Sequence, residues 1–121
     1  FTVAVAGHPP VLLVDARGGV TRRFGRGAYP LGVKPGQEYV VETGSLAAGE
    51  SLLLHSDGLP EARDREGREF GDGRVLAVLL RTAGQPAFHV AAALAADVPA
   101  FLGRKPVDDD VSLAVVRRTP A

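Results

Sequence analysis

The chain contains no cysteine and no tryptophan. Without thiols it can form no disulfide and no zinc–thiolate site. A phosphoester reaction through a cysteine nucleophile is excluded too, so any such chemistry would need a metal-activated water or another nucleophile. Aromatics are scarce, with five Phe and two Tyr, and the core must therefore be built from Val, Leu and Ala. Neither sign of charge prevails, because 14 Lys and Arg balance 14 Asp and Glu. Nucleic-acid-binding proteins usually carry a basic face or tail. Here basic residues alternate with acids, as in Glu61-Ala62-Arg63-Asp64-Arg65-Glu66, which reads as solvated surface. No nucleic-acid partner is expected. No apolar run approaches the roughly 18 residues of a membrane span. The longest candidate, Ala87 to Leu102, is interrupted by His89, Asp97 and Pro99. Nothing at the start reads as a secretory leader, and a cytoplasmic location fits. The chain opens without Met on Phe1-Thr2-Val3-Ala4-Val5-Ala6, a strand-like run that looks excised from something longer.

What is present suits one domain, or a large piece of one, in 121 residues. Residues 1–6 read as a strand ended by Gly7-His8-Pro9-Pro10. Val11–Val14 and Val20–Phe24 flank the turn signal Arg17-Gly18-Gly19 and should pair as a hairpin. Gly25 to Gly36 reads as loop, Tyr39–Thr43 as a strand, and Ser51–His55 as a continuous apolar strand covered on both faces. After Asp57-Gly58 the period changes. Leu59-Pro60-Glu61-Ala62 suggests a short helix. Asp72 is expected to cap a helix with Val75, Leu76, Leu79 and Leu80 on one face, closed by Gly84. Pro86 opens another, with Phe88, Ala92, Leu94, Ala95, Val98 and Phe101 inward, and Pro99 should kink or split it. Val111–Val116 is a last strand, and Arg117 to Ala121 a frayed tail. The order predicts an α+β fold with helices on one face of a mainly antiparallel sheet.

Two places put carboxylates at strand ends. Asp57 follows the apolar strand, and Asp108-Asp109-Asp110 precedes the last one. If the two strands are neighbours, their ends could converge. Mg²⁺ and Mn²⁺ take hard oxygen ligands, often one or two carboxylates with waters. On spacing alone the plainer readings stand beside this one: Asp-Gly is a common turn pair, and three consecutive Asp are a solvated loop. His8, His55 and His89 read as turn, packing and surface residues, and do not form a zinc site. Ser56 has no His–Asp partnership that would make it a nucleophile.

Five segments, in order, resemble the SpoIIE-type family of metal-dependent, type 2C-like serine/threonine protein phosphatases. Ala6-Gly7-His8-Pro9-Pro10 resembles "AGHPPP", and Pro30-Leu31-Gly32-Val33 a "PLG" loop. The run from His55 to Asp64, centred on Ser56-Asp57-Gly58, is similar to "TDGLTEARD". Phe70-Gly71-Asp72-Gly73-Arg74 resembles "FGEER", and Asp108 to Leu113 resembles "DDDVTLLV". The resemblance implies an antiparallel β-sandwich core flanked by helices, with residues 1–121 as the C-terminal segment of one domain whose N-terminal portion is absent. It implies hydrolysis of phosphoserine or phosphothreonine by water activated between two Mn²⁺ or Mg²⁺ ions. It makes Asp57 and Asp109 metal ligands, with Asp110 supporting Asp109 from outside the ligand set and Asp108 solvated. It implies a phosphorylated protein substrate, such as an anti-sigma-factor antagonist in bacterial signalling. The family's remaining carboxylates come from earlier segments, so the fragment alone should bind Mn²⁺ weakly and hydrolyse no phosphoester. Two other readings remain: a pseudophosphatase or regulatory protein-interaction domain without catalysis, and a homodimer formed through exposed strand edges.

Overall fold

A computed structural model describes residues 1–25 and 27–120. Its centre is a four-stranded antiparallel sheet made of β2 (Val11–Val14), β3 (Val20–Phe24), β5 (Ser51–His55) and β6 (Leu113–Arg117), in the order β3-β2-β5-β6. Two short strands, β1 (Thr2–Val3) and β4 (Glu42–Thr43), pair antiparallel as a second sheet. Two helices, α1 (Gly71–Arg81) and α2 (Ala87–Leu102), lie between β5 and β6 in the chain. The expected hairpin forms, and Asp15 makes its turn. The Asp15 carboxylate accepts hydrogen bonds from the backbone N–H of Arg17 at 2.8 Å and of Gly19 at 2.9 Å. These donors, Gly19 first, hold the Asp15 carboxyl below its ordinary range. Gly18 in that turn has φ +85°, and an added methyl would overlap the carbonyl of Leu79, so α1 can lie directly on the hairpin.

Alternation along the strands separates two cores. Leu12, Val14 and Leu53 face the helices, where they meet Val75, Val78, Leu79, Val90, Leu94, Val98 and Leu102. Val11, Phe24 and Leu52 face the other way, toward Val3, Val5 and Leu46. Leu52 and Leu53 are therefore covered on opposite faces as expected, whereas Leu54 is partly open at 37%. The ring of Phe1 meets that of Phe24 edge-on, with centroids 5.2 Å apart. A bidentate pair from Arg81 to Asp97, at 2.7 and 2.6 Å, ties α1 to α2.

Several local expectations are corrected. Only two residues of each of the first and fourth predicted strands pair. The expected helix at 59–62 is absent: residues 57–61 form a turn, because the carbonyls of Pro60 and Ala62 are taken by the returning chain at Gly71 (2.8 Å) and Phe70 (2.7 Å). Asp72 sits in the first turn of α1, and Phe70 occupies the position that caps it, with no side-chain cap. The buried face of α1 is Val75, Val78 and Leu79, while Leu80 is exposed. The buried face of α2 is Val90, Leu94, Val98 and Leu102, and Phe88 points outward. α2 runs unbroken through Pro99. Arg117 and Arg118 are not frayed: Arg117 pairs with Ser51, and the Arg118 N–H donates to the Glu50 carbonyl at 3.0 Å. The expected fraying at Ala121 lies outside the described residues.

Candidate functional site

β5 and β6 are adjacent and antiparallel, with Leu53 opposite Val115 and His55 opposite Leu113. The end of β5 therefore meets the beginning of β6. One residue on, the Ser56 N–H donates to the Ser112 carbonyl at 2.9 Å. Next comes Gly58, buried against the backbone of Asp110 so closely that a methyl group there would overlap the Asp110 carbonyl. The same methyl would lie 3.6 Å from the Asp109 carbonyl oxygen. Asp57 and the run Asp109-Asp110, remote in sequence, thus share one corner of the sheet.

The turn that carries Asp57 is fixed from behind. The Glu61 N–H donates to the Asp57 carbonyl at 3.0 Å, and Leu59, fully buried, anchors the turn in the helix-side core. The chain then leaves as a small loop organised by Asp64. That carboxylate, 5% exposed, accepts from the N–H groups of Glu66 (3.0 Å) and Arg68 (2.9 Å) and from Arg68 Nε (2.7 Å). Burial pushes the Asp64 carboxyl up, but the Arg68 backbone and guanidinium together outweigh it, and the pKa lies below its ordinary value. On the β6 side, Asp109 Oδ1 accepts from the Asp110 N–H at 2.8 Å. Lys105 Nζ bridges the Asp108 carboxylate at 2.6 Å and the Arg63 carbonyl at 2.8 Å.

Asp57, Asp109 and Asp110 are all exposed, so their carboxylates are open to a ligand. The donors at this corner suit a hard cation: they are carboxylate oxygens in the turn after β5 and the bend before β6, and the His55 ring is turned to its own neighbour, the Ser56 carbonyl, at 2.9 Å from Nδ1. No set of three or more His, Cys, Asp or Glu is arranged to hold a metal ion among the described residues. Beside the corner, a cleft of about 350 Å³ is lined in part by Pro9, Arg23, His55, Glu61, Glu69 and Asp72. His8 is exposed, as is His89, whose ring lies tilted against that of Phe88 with centroids 4.1 Å apart. Sequence reasoning missed Ser56 and Lys105 as parts of this corner. Lys105 stands three residues before Asp108, a spacing that could have signalled the contact, but nothing in the sequence shows the bond to Arg63.

The model of the family described as Stage II sporulation protein E (SpoIIE) matches residues 1–119. The chain belongs to the SpoIIE family. No curated protein sequence matches it. Among solved structures, the SiaA-PP2C domain of Pseudomonas aeruginosa is 27% identical with a TM-score of 0.72, over 96% of this chain and 46% of that one. The RsbU and RsbW domains of a Mycobacterium tuberculosis protein are 30% identical with a TM-score of 0.62, over 100% of this chain and 33% of that one. The PP2C phosphatase domain of SpoIIE from Bacillus subtilis, solved with a fragment of its regulatory domain, has a TM-score of 0.72 at 22% identity, over 96% and 34%. That last likeness speaks for the fold alone. This member of the SpoIIE family therefore has a mixed fold of antiparallel sheets and two helices that corresponds to part of a PP2C phosphatase domain. It spans less than half the length of each of these structures. No described helix is long and apolar enough to cross a membrane.

Proposed function

We propose that residues 1–121 are the C-terminal segment of a phosphatase domain that hydrolyses phosphoserine or phosphothreonine in a protein, and that Asp57 and Asp109 are ligands of one Mn²⁺ or Mg²⁺ ion. The observation that carries this reading is the meeting of the β5 and β6 ends, which sets Asp57 beside Asp109-Asp110 although the sequence separates them widely. Two carboxylates with waters suit an octahedral hard cation. When bound, the metal would supply Lewis-acid polarisation of the phosphoryl oxygens and lower the pKa of a water so that hydroxide is available as nucleophile near neutral pH. The chain's own part is to hold the two carboxylates at fixed strand ends. The Asp110 N–H donates to Asp109 Oδ1 and fixes the orientation of that carboxylate. The adjoining cleft, with Arg23 and Glu61 on its walls, gives the polypeptide around the phosphorylated residue a place to lie.

The substrate class in this reading is a phosphorylated regulatory protein such as an anti-sigma-factor antagonist, in the cytoplasm of a bacterium. The family membership supports it, as does the pairing of an RsbU domain with an RsbW domain in one similar structure. The test is phosphate release from a phosphoserine-bearing protein by the full-length protein that contains this chain. The reading expects release with Mn²⁺ and none with EDTA. Equal release with EDTA would contradict it, and no release under either condition, with Mn²⁺ bound, would favour a pseudophosphatase. Self-association is a further part of the proposal, because β6 ends the sheet order and offers its outer edge to another strand. A clean monomer in sedimentation would remove that part.

A further inference from the structure

We propose that Ser56 is a positioning residue whose hydroxyl clasps the strand end bearing Asp109 to the strand end bearing Asp57. The inference rests on the metal reading given above. The last Cα pair of the β5–β6 ladder is His55 with Leu113. Beyond it the two chains would part, one into the Asp57-Gly58 turn and the other into the Asp108–Asp110 run. Ser56 keeps them together with three hydrogen bonds. Its N–H donates to the Ser112 carbonyl at 2.9 Å, its Oγ accepts from the Ser112 N–H at 2.9 Å, and the same hydroxyl donates to the Asp110 carbonyl at 3.3 Å. A serine hydroxyl has one proton to give and lone pairs to receive, and here both capacities are spent across the junction. The hydroxyl proton points at a backbone carbonyl, and the neighbouring His55 Nδ1 is engaged with the Ser56 carbonyl. That arrangement suits a strap and not a nucleophile.

The far side of the Asp108–Asp110 run is tied down as well, by Lys105 between Asp108 and the Arg63 carbonyl. Between these two anchors the packed backbones of Gly58 and Asp110 leave the run no freedom to move inward. The remaining direction is outward, away from Asp57, and at the Asp110–Ser112 end the Ser56 hydroxyl adds two bonds to the one backbone bond that opposes it. Without the hydroxyl, water can reach the groups it leaves, since Ser112 and Asp110 are exposed. The fold is retained while the carboxylate pair loosens.

The test compares Mn²⁺ binding by isothermal titration calorimetry, and thermal unfolding, for the full-length protein containing this chain and its Ser56→Ala, Ser56→Thr and Asp57→Asn variants. Groups that orient ligands typically change metal affinity by about 10–100-fold. Ser56→Ala is expected to bind Mn²⁺ about tenfold more weakly with an unfolding temperature close to wild type, Ser56→Thr to recover the affinity, and Asp57→Asn to lose the site. Wild-type affinity in Ser56→Ala, with Asp57→Asn still defective, overturns the clasp and leaves the metal reading standing. A weakened Ser56→Ala that Ser56→Thr does not rescue also overturns it. Undiminished binding in Asp57→Asn, or no binding by the wild type, overturns the metal reading and the clasp with it.

Discussion

Gly58 and Asp110 pack backbone to backbone at the point where β5 ends and β6 begins, with no room for a methyl group between them. A carbonyl held in a strand junction cannot retreat as a flexible side chain would. Gly58→Ala should therefore push the two strand ends apart. Overpacking of this kind typically costs about 1–3 kcal/mol. Thermal or denaturant unfolding of the variant would show it, and Mn²⁺ affinity should fall together with stability. A variant as stable as wild type would mean the junction has room for the added methyl group.

Leu59 is fully buried directly behind the Asp57 turn. Leu59→Ala removes apolar area and leaves a cavity, a change that typically costs about 2–5 kcal/mol. The expected result is a lower midpoint in denaturant with an unchanged slope. A shift well under 1 kcal/mol would show that the turn collapses onto the space, which close-packed interiors seldom allow.

Much of the framework was legible from local pattern. The apolar run Ser51–His55 and the turn chemistry around Gly18 named β5 and the first hairpin because each depends on neighbours in the chain. Helix faces were read less well. Ala92 and Ala95 suit either side of a helix, and Phe88 is apolar yet exposed, whereas the buried face is set by Val90, Leu94, Val98 and Leu102. The helix expected at Leu59–Ala62 failed because Phe70 and Gly71 return from beyond a loop to take its carbonyls. Asp57 and Asp109 are legible in the sequence as carboxylates close to strand ends. Their meeting is not, since it depends on β5 and β6 being neighbours, and neither the Ser56 strap nor the bond from Lys105 to the Arg63 carbonyl has any local signature.

Asp64 gives the chain an acid-sensitive point. Its folded pKa lies below the ordinary value of 3.8, so the unfolded chain takes up the proton first. The stabilisation is complete above that value and is lost as pH falls through the lower folded pKa. Asp15 and Asp97 are depressed as well, Asp15 first by the Gly19 N–H and Asp97 first by Arg81, and act in the same direction. The unfolding temperature should be flat near neutrality and fall below about pH 4. Asp64→Asn should start lower at pH 7, having lost the charged partner of Arg68, and then change less steeply in acid. A wild-type slope in Asp64→Asn would show that Asp64 contributes no such linkage.

The proposed phosphatase chemistry requires Asp57 and Asp109 to hold the same ion. The most direct measurement is an anomalous difference map from crystals of the full-length protein containing this chain, grown with Mn²⁺. The expected result is a peak at the β5–β6 corner within about 2.1 Å, the distance expected for small octahedral cations, of carboxylate oxygens from both residues. A well-occupied Mn²⁺ peak elsewhere, with Asp57 and Asp109 touching no ion, would contradict it.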